Sequence, residues 1–205
     1  RRQRQMCIRD RVHRVHPEII INCVGILIKG SIEHPDNAIL INAYFPHLLK
    51  RLSDEVGAKL IHISTDCVFS GKKGNYTEDD FRDADDVYGR SKALGEVINN
   101  KDLTIRTSII GPELKNNGEG LFHWFMHQSG KVCGFRTAVW GGVTTLELAK
   151  AIDYALDSGI TGLVHLSNGI GISKYDLLCM FKEIWQKQNV CLLYTSDAAD
   201  EEDSV

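Results

Sequence analysis

Apolar and polar positions divide this chain into short unbroken apolar runs and longer stretches with helical spacing. Ile19-Ile20-Ile21-Asn22-Cys23-Val24 is nearly continuous in its apolar character, which predicts a strand buried on both faces, as in a parallel sheet. Lys59-Leu60-Ile61-His62-Ile63 and the segment Leu103 to Ile109 are of the same β-branched type and predict two further strands. Asp36 to Val56 reads as a helix opened by Pro35 and closed by Gly57. Tyr88 to Asn99, Leu121 to His127, Thr145 to Leu156 and Lys174 to Lys187 predict further helices, the last two flanking a short strand at Leu163 to Leu166. Ser70 to Asp86 and Gly111 to Gly120 are polar and glycine-containing, and predict loops. Strands alternating with helices mean an α/β protein with a parallel sheet.

The two ends stand apart from this pattern. Codons can be chosen for Arg1 to Asp10 whose reverse complement, read in another frame, encodes Leu-Leu-Tyr-Thr-Ser-Asp-Ala-Ala-Asp, the sequence of Leu192 to Asp200. Protein termini have no reason to be reverse complements, and the pair resembles a sequencing adapter translated on both sides of an insert. The expected organisation is therefore a non-native tail over 1–11, a partial nucleotide-binding core with the catalytic motif over 12–110, a substrate-binding region over 111–190, and a second non-native tail over 191–205. Both tails are expected to pack on nothing and to have no fixed conformation.

Setting the ends aside leaves an insert close to neutral, so nothing points to a nucleic-acid or anionic-membrane surface. Cys23, Cys67, Cys133 and Cys179 form no C-x-x-C pair and read as reduced thiols, which makes the cytoplasm the expected location. No apolar run approaches the length of a membrane span. A homo-oligomer is compatible with these features.

The candidate chemistry lies near the middle of the chain. Tyr88 and Lys92 are four apart, so on a helix they share one face, and an ammonium beside a phenol favours the phenolate. Such a pair suits proton transfer to or from a carbonyl oxygen. Thr65 follows a predicted strand, at the carboxyl end where open α/β sheets bind ligands. Each also has a plain structural reading: an exposed helix pair for Tyr88 and Lys92, a strand end for Thr65, and for Asp66 an Asx-type turn as an alternative to substrate contact. His123 and His127 are also four apart, but with no carboxylate or thiol at a fitting spacing they read as pocket-lining or surface residues, and no metal site is expected.

Taken together, Ile63-Ser64-Thr65-Asp66-x-Val68-Phe69-x-Gly71, Tyr76-x-Glu78, Tyr88-Gly89-x-Ser91-Lys92-x-x-Gly95-Glu96 and Ile105-Arg106-Thr107-Ser108 resemble the extended short-chain dehydrogenase/reductases. Within that family they are most similar to the dTDP-4-dehydrorhamnose reductases, over roughly Pro17 to Trp185. The resemblance implies a Rossmann-like, doubly wound parallel sheet and a small C-terminal substrate-binding region. No G-x-G-x-x-G precedes Pro17, so the fold is expected to lack its first βαβ segment and the chain itself to be inactive.

The implied activity is reduction of a nucleotide-activated 4-keto-6-deoxy sugar by NADPH or NADH, for deoxysugar and polysaccharide precursors. Tyr88 would donate the proton, Thr65 would polarise the carbonyl, and Lys92 would hold the nicotinamide ribose. Cys23, Val24, Gly25, Asn42 and Ser64 join Tyr88 and Lys92 as implied cofactor-side residues. Asp66, Cys67, Val68, Thr144 and Thr145 are the implied substrate contacts, although Cys67 and Gly142-Val143-Thr144-Thr145 depart from the family's usual residues. Two alternatives stay open: a nucleotide-sugar epimerase or dehydratase of the same superfamily, and a non-catalytic homologue like the regulatory subunit of methionine adenosyltransferase.

Overall fold

A computed structural model of the protein describes residues 2–114 and 118–195. The chain forms two units, one of Arg1–Thr107 with Ile152–Leu166 and the other of Ser108–Ala151 with Ser167–Val205.

The first unit is built on strands β1 (Ile19–Asn22), β2 (Lys59–Ser64), β3 (Leu103–Arg106) and β8 (Gly162–His165), all parallel and in the order β1-β2-β3-β8. Side chains alternate across a strand, and here the two faces differ sharply. Ile61, Leu103 and Ile105 pack against Ile152 and Ala155, from the carboxyl half of helix α7 (Thr145–Asp157). On the opposite face Leu60 and Ile20 meet Leu49 and Phe45 of helix α4 (Phe45–Val56), but toward the carboxyl ends that face turns polar, with Asn22, His62, Ser64, Thr104 and Arg106 all buried. Buried polar groups at this density demand internal partners. Asn22 and His62 bond each other, and Ser64, Thr104 and Arg106 find their partners chiefly in Glu96 and Val97, in the connection that leads into β3.

The helix expected over Asp36–Val56 is present with one modification. Helix α3 (Pro35–Ala38) runs into a π-turn at Ile39–Tyr44 and then into α4, which Gly57 closes at φ 76°. Helix α5 spans Val87–Leu94, capped by the Asp86 carboxylate accepting from the Gly89 amide at 2.9 Å. It stops five residues short of the expected Asn99. A side chain at Gly95 would lie 1.8 Å from the Asn42 carbonyl, and Glu96 beyond it turns inward to an arginine. Helix α2 (Ile28–Glu33) lies in a stretch given no element above.

The expectation that the ends pack on nothing is overturned for the described residues. Helix α1 (Arg2–Val15) carries Ile8 and Val12 one turn apart on one face, and both pack on Leu48 and Leu52 of α4. Arg9 and His13 meet Glu55 at 3.4 and 2.8 Å. At the other end, Val190–Thr195 is the apolar strand β10, paired in parallel with β5 (Gly130–Phe135). An amphipathic face and a β-rich run bury themselves whatever their origin. Arg1 and residues 196–205 lie outside the described residues.

The second unit has its own core, in which Phe125 of α6 (Leu121–Met126), Val132 of β5 and Val190 of β10 surround Leu177, Leu178 and Phe181 of α8 (Lys174–Ile184). The strand expected to run from Leu103 to Ile109 ends at Arg106; β4 (Ile109–Ile110) pairs with β7 (Val143–Thr144), and β6 (Val139–Trp140) with β9 (Ile172–Ser173). These short strands escape sequence reading because two residues set no period.

Candidate active site

The carboxyl end of β2 delivers Ser64 and Thr65, and α5 faces them with Tyr88 and Lys92. Thr65 is buried; its hydroxyl caps a single 3₁₀ turn at Asp66–Val68 by accepting from the Cys67 amide at 3.2 Å, and it lies near enough to the Tyr88 phenol to influence its pKa. Asp66 accepts from that same hydroxyl at 3.2 Å. Lys92 is buried, and its Nζ donates to the Ile63 carbonyl at 2.7 Å, one residue before Ser64. Tyr88, Lys92, Thr65 and Ser64 are thus brought together, as the sequence pattern implies.

Two electrostatic details differ from the sequence expectation. Burial raises the Tyr88 pKa, the nearby Cys67, Asp66 and Asp86 push the same way, and only the Thr65 hydroxyl opposes them. Lys92 does not lower the phenol here, because its ammonium is turned to the β2 backbone. Burial in turn lowers Lys92 to about 8, with Glu96 the largest influence favouring its charge.

The other expected residues divide. Cys23, Val24 and Gly25 form an exposed strip directly after β1, the geometry of a shelf at the carboxyl edge of the sheet. Asn42 is fully buried and clamps a turn: its Oδ1 accepts from the Ile26 amide at 2.8 Å, and its Nδ2 donates to the Ile26 carbonyl at 2.9 Å and to Ser91 Oγ at 3.1 Å. That occupation makes it structural support rather than a ligand contact. Ser64 is likewise occupied, donating to Glu96 Oε1 at 2.8 Å. Asp66 and Cys67 are exposed, while Val68 is buried beneath them. Thr144 and Thr145 belong to the second unit, where the Thr144 hydroxyl accepts from the Glu147 amide at 3.1 Å. His123 and His127 stack at 4.3 Å, and the described residues contain no group of three metal-ligating side chains.

A polar network that sequence reading gave no role lies behind this site. Glu96 receives Arg106 Nε at 2.7 Å and Nη2 at 2.9 Å as a two-pronged pair, and Arg82 Nη1 at 3.0 Å. Arg106 also donates to the Glu78 carbonyl and to His165 Nε2, and its guanidinium lies 5.0 Å from the Phe69 ring centroid. Burial raises the Glu96 carboxyl, but its bonds to Arg106, Ser64 and Arg82 outweigh that and hold it below the ordinary carboxylate value. The available signal was spacing: Glu96 follows Lys92 by four, and Arg106 ends a strand on the face of Thr104.

His62 is the second omission. It is fully buried, Asn22 Nδ2 donates to its Nδ1 at 3.0 Å, and its Nε2 has no hydrogen-bond partner among the described residues. Burial, with Lys92 nearby, lowers its pKa from 6.5 to about 3. A histidine folded in the neutral form loses stability as pH falls, because the unfolded chain takes up the proton first. The window runs from pH 6.5 down to about 3, with a slope of up to about 1.4 kcal/mol per pH unit. Urea unfolding of the parent and of His62→Leu at stepped pH is expected to show a shallower acid slope in the variant; parallel slopes would exclude this origin.

Comparison with known proteins matches residues 3–199 to the family model described as the RmlD substrate binding domain. The chain belongs to the RmlD substrate-binding-domain family. The spore coat polysaccharide biosynthesis protein SpsK of Bacillus subtilis is 30% identical over 185 residues, covering 87% of this chain and 65% of SpsK. The methionine adenosyltransferase 2 subunit beta of Bos taurus is 26% identical over 190 residues, covering 82% of this chain and 54% of that protein. The chain therefore spans less than two thirds of the length of these relatives. A dTDP-4-dehydrorhamnose reductase from Bacillus anthracis, solved in complex with NADP, superimposes with a TM-score of 0.83 at 24% identity, covering 98% of this chain and 72% of that one. The RmlD-family assignment and the parallel α/β fold agree with the resemblance drawn from the motifs. Among the described residues no helix is long and apolar enough to cross a membrane.

The residues present fit the nicotinamide half of a dinucleotide. An exposed strip after β1 and a buried ammonium at the end of β2 supply a shelf and a cation suited to ribose hydroxyls.

Proposed function

We propose that this RmlD-family chain carries the catalytic centre of an NAD(P)H-dependent reductase acting on the 4-keto carbon of a nucleotide-activated 6-deoxy sugar. The observation that supports it is the meeting of Thr65, Tyr88 and Lys92 at the carboxyl end of β2. Thr65 and Tyr88 bring two hydroxyl groups to the end of β2, and a carbonyl oxygen bound there would accept from Tyr88 and, in place of Asp66, from Thr65. Tyr88 is protonated at neutral pH, since burial only raises its pKa further above the ordinary phenol value, and that is the form from which it donates to the oxygen. Lys92 would hold the nicotinamide ribose in place of its present bond to Ile63, and Cys23 to Gly25 would line the same side. When bound, the reduced nicotinamide supplies the hydride. The SpsK likeness supports a role in polysaccharide precursor synthesis.

A second reading, a non-catalytic regulatory homologue, draws support from the likeness to the methionine adenosyltransferase subunit. Turnover separates the two. Loss of NADPH absorbance with a dTDP-4-keto-6-deoxy sugar is expected from the complete gene product, and little or none from this chain, in which no glycine-rich phosphate turn precedes Pro17. Thr65→Val removes one neutral donor while proton and hydride sources remain, so a loss of about tenfold to a hundredfold is expected. Absence of sugar-dependent NADPH oxidation in the complete protein would favour the regulatory reading.

A further inference from the structure

Around the site one carboxylate carries more than an ion pair needs. The Glu96 side chain has no exposed surface, and four donors fill its two oxygens: Arg106 Nε at 2.7 Å and Ser64 Oγ at 2.8 Å on Oε1, Arg106 Nη2 at 2.9 Å and Arg82 Nη1 at 3.0 Å on Oε2. These donors come from three different segments. Ser64 ends β2, Arg106 ends β3, and Arg82 lies in the polar connection between β2 and α5. Glu96 itself lies just beyond α5, four residues after Lys92.

We propose that Glu96 is a positioning residue that, through Ser64, fixes the end of β2 where Ile63 holds the Lys92 ammonium and Thr65 lies beside Tyr88. This rests on the reductase reading for its catalytic consequence. Two routes connect Glu96 to the reacting groups. One passes through Ser64, whose neighbours on either side are Ile63, the acceptor of Lys92, and Thr65, which lies near the Tyr88 phenol. A shift of Ser64 therefore moves both contacts. The other is electrostatic: Lys92 is buried beside few anions, and Glu96 is the largest influence favouring its charged form. A purely structural salt bridge between Arg106 and Glu96 would explain neither the Ser64 bond nor the tie to Lys92.

The test follows Lys92 directly, by nitrogen-detected NMR titration of its ammonium in this chain. In the parent the midpoint is expected at about 8. In Glu96→Gln it is expected to fall by about one pH unit, as a nearby opposite charge is lost. Should that variant fail to fold because Arg106 is left unpaired, Ser64→Ala carries the test, since it cuts the Glu96 tie to β2 and leaves the ion pair whole. An unmoved Lys92 midpoint in the folded variant overturns the proposal. Ser64→Ala keeps every charge, and in the complete enzyme it is expected to lower kcat about tenfold with KM nearly unchanged; unchanged kcat overturns the positioning role. Because the titration needs no turnover, an inactive complete enzyme would count against the reductase reading and leave the Lys92 result standing.

Discussion

Tyr88→Phe is expected to lower the turnover of the complete enzyme by about 10²-fold or more, with cofactor affinity nearly unchanged. The substitution removes one oxygen and keeps the ring, so the packing of α5 against the end of β2 is retained. Thr65 keeps its bonds to Cys67 and Asp66, so it stays in place as the remaining hydroxyl at the site. Lys92→Ala is expected to behave differently, lowering turnover and cofactor affinity together, since the ammonium serves the ribose as well as the site. Steady-state reduction of a dTDP-4-keto-6-deoxy sugar, followed by NADPH absorbance, distinguishes the two patterns. Near-parental turnover by Tyr88→Phe would falsify the assignment of the phenol as proton donor.

The largest effect on stability is expected at Arg106. Its guanidinium is 2% exposed and Glu96 is wholly buried. Arg106→Met fills similar space but leaves the carboxylate with only Ser64 and the half-exposed Arg82, a loss of about 3–5 kcal/mol by comparison with other broken buried pairs. In a chain of this size that corresponds to a fall in Tm of roughly 10 °C. Lys150→Met is the control, because Lys150 and Glu147 form an exposed pair at 2.7 Å, and such pairs contribute less than about 1 kcal/mol. Thermal unfolding by circular dichroism checks both. Equal stabilities would mean that Glu96 is accommodated without its arginine.

Much of this arrangement was legible in the sequence. Unbroken apolar runs located β1 and β2 because strands buried on both faces need apolar residues at every position. Tyr88 and Lys92 were legible for a related reason: a four-residue spacing fixes a shared helix face before any tertiary contact is known. What the spacing could not give is where the ammonium points. Lys92 has four rotatable bonds, and the Ile63 carbonyl, 29 residues earlier and beyond any local rule, captures it. Likewise Ser64 reads as a site hydroxyl from its position, but Glu96 claims it from across the sheet end. The α1 packing was hidden by the composition of the first residues, in which arginines mask the pair Ile8 and Val12. The short strands of the second unit were illegible because their pairing is set by partners distant in sequence.

The π-turn at Ile39–Tyr44 is a matter of counting as much as of hydrogen bonding. Its Phe45 amide reaches back five residues to Leu40, so the helix from Pro35 to Val56 holds one residue more than an α path of equal length. Each residue turns a helix by about 100°. The surplus residue therefore offsets the two halves, letting Ala38 and Asn42 bury toward the Ile26 turn while Leu48, Leu49 and Leu52 bury toward α1 and the sheet. Deleting any one residue between 39 and 44 would restore a regular helix and turn one of those faces to solvent. The length of this segment is thus a fixed quantity, in which a deletion does more harm than most substitutions.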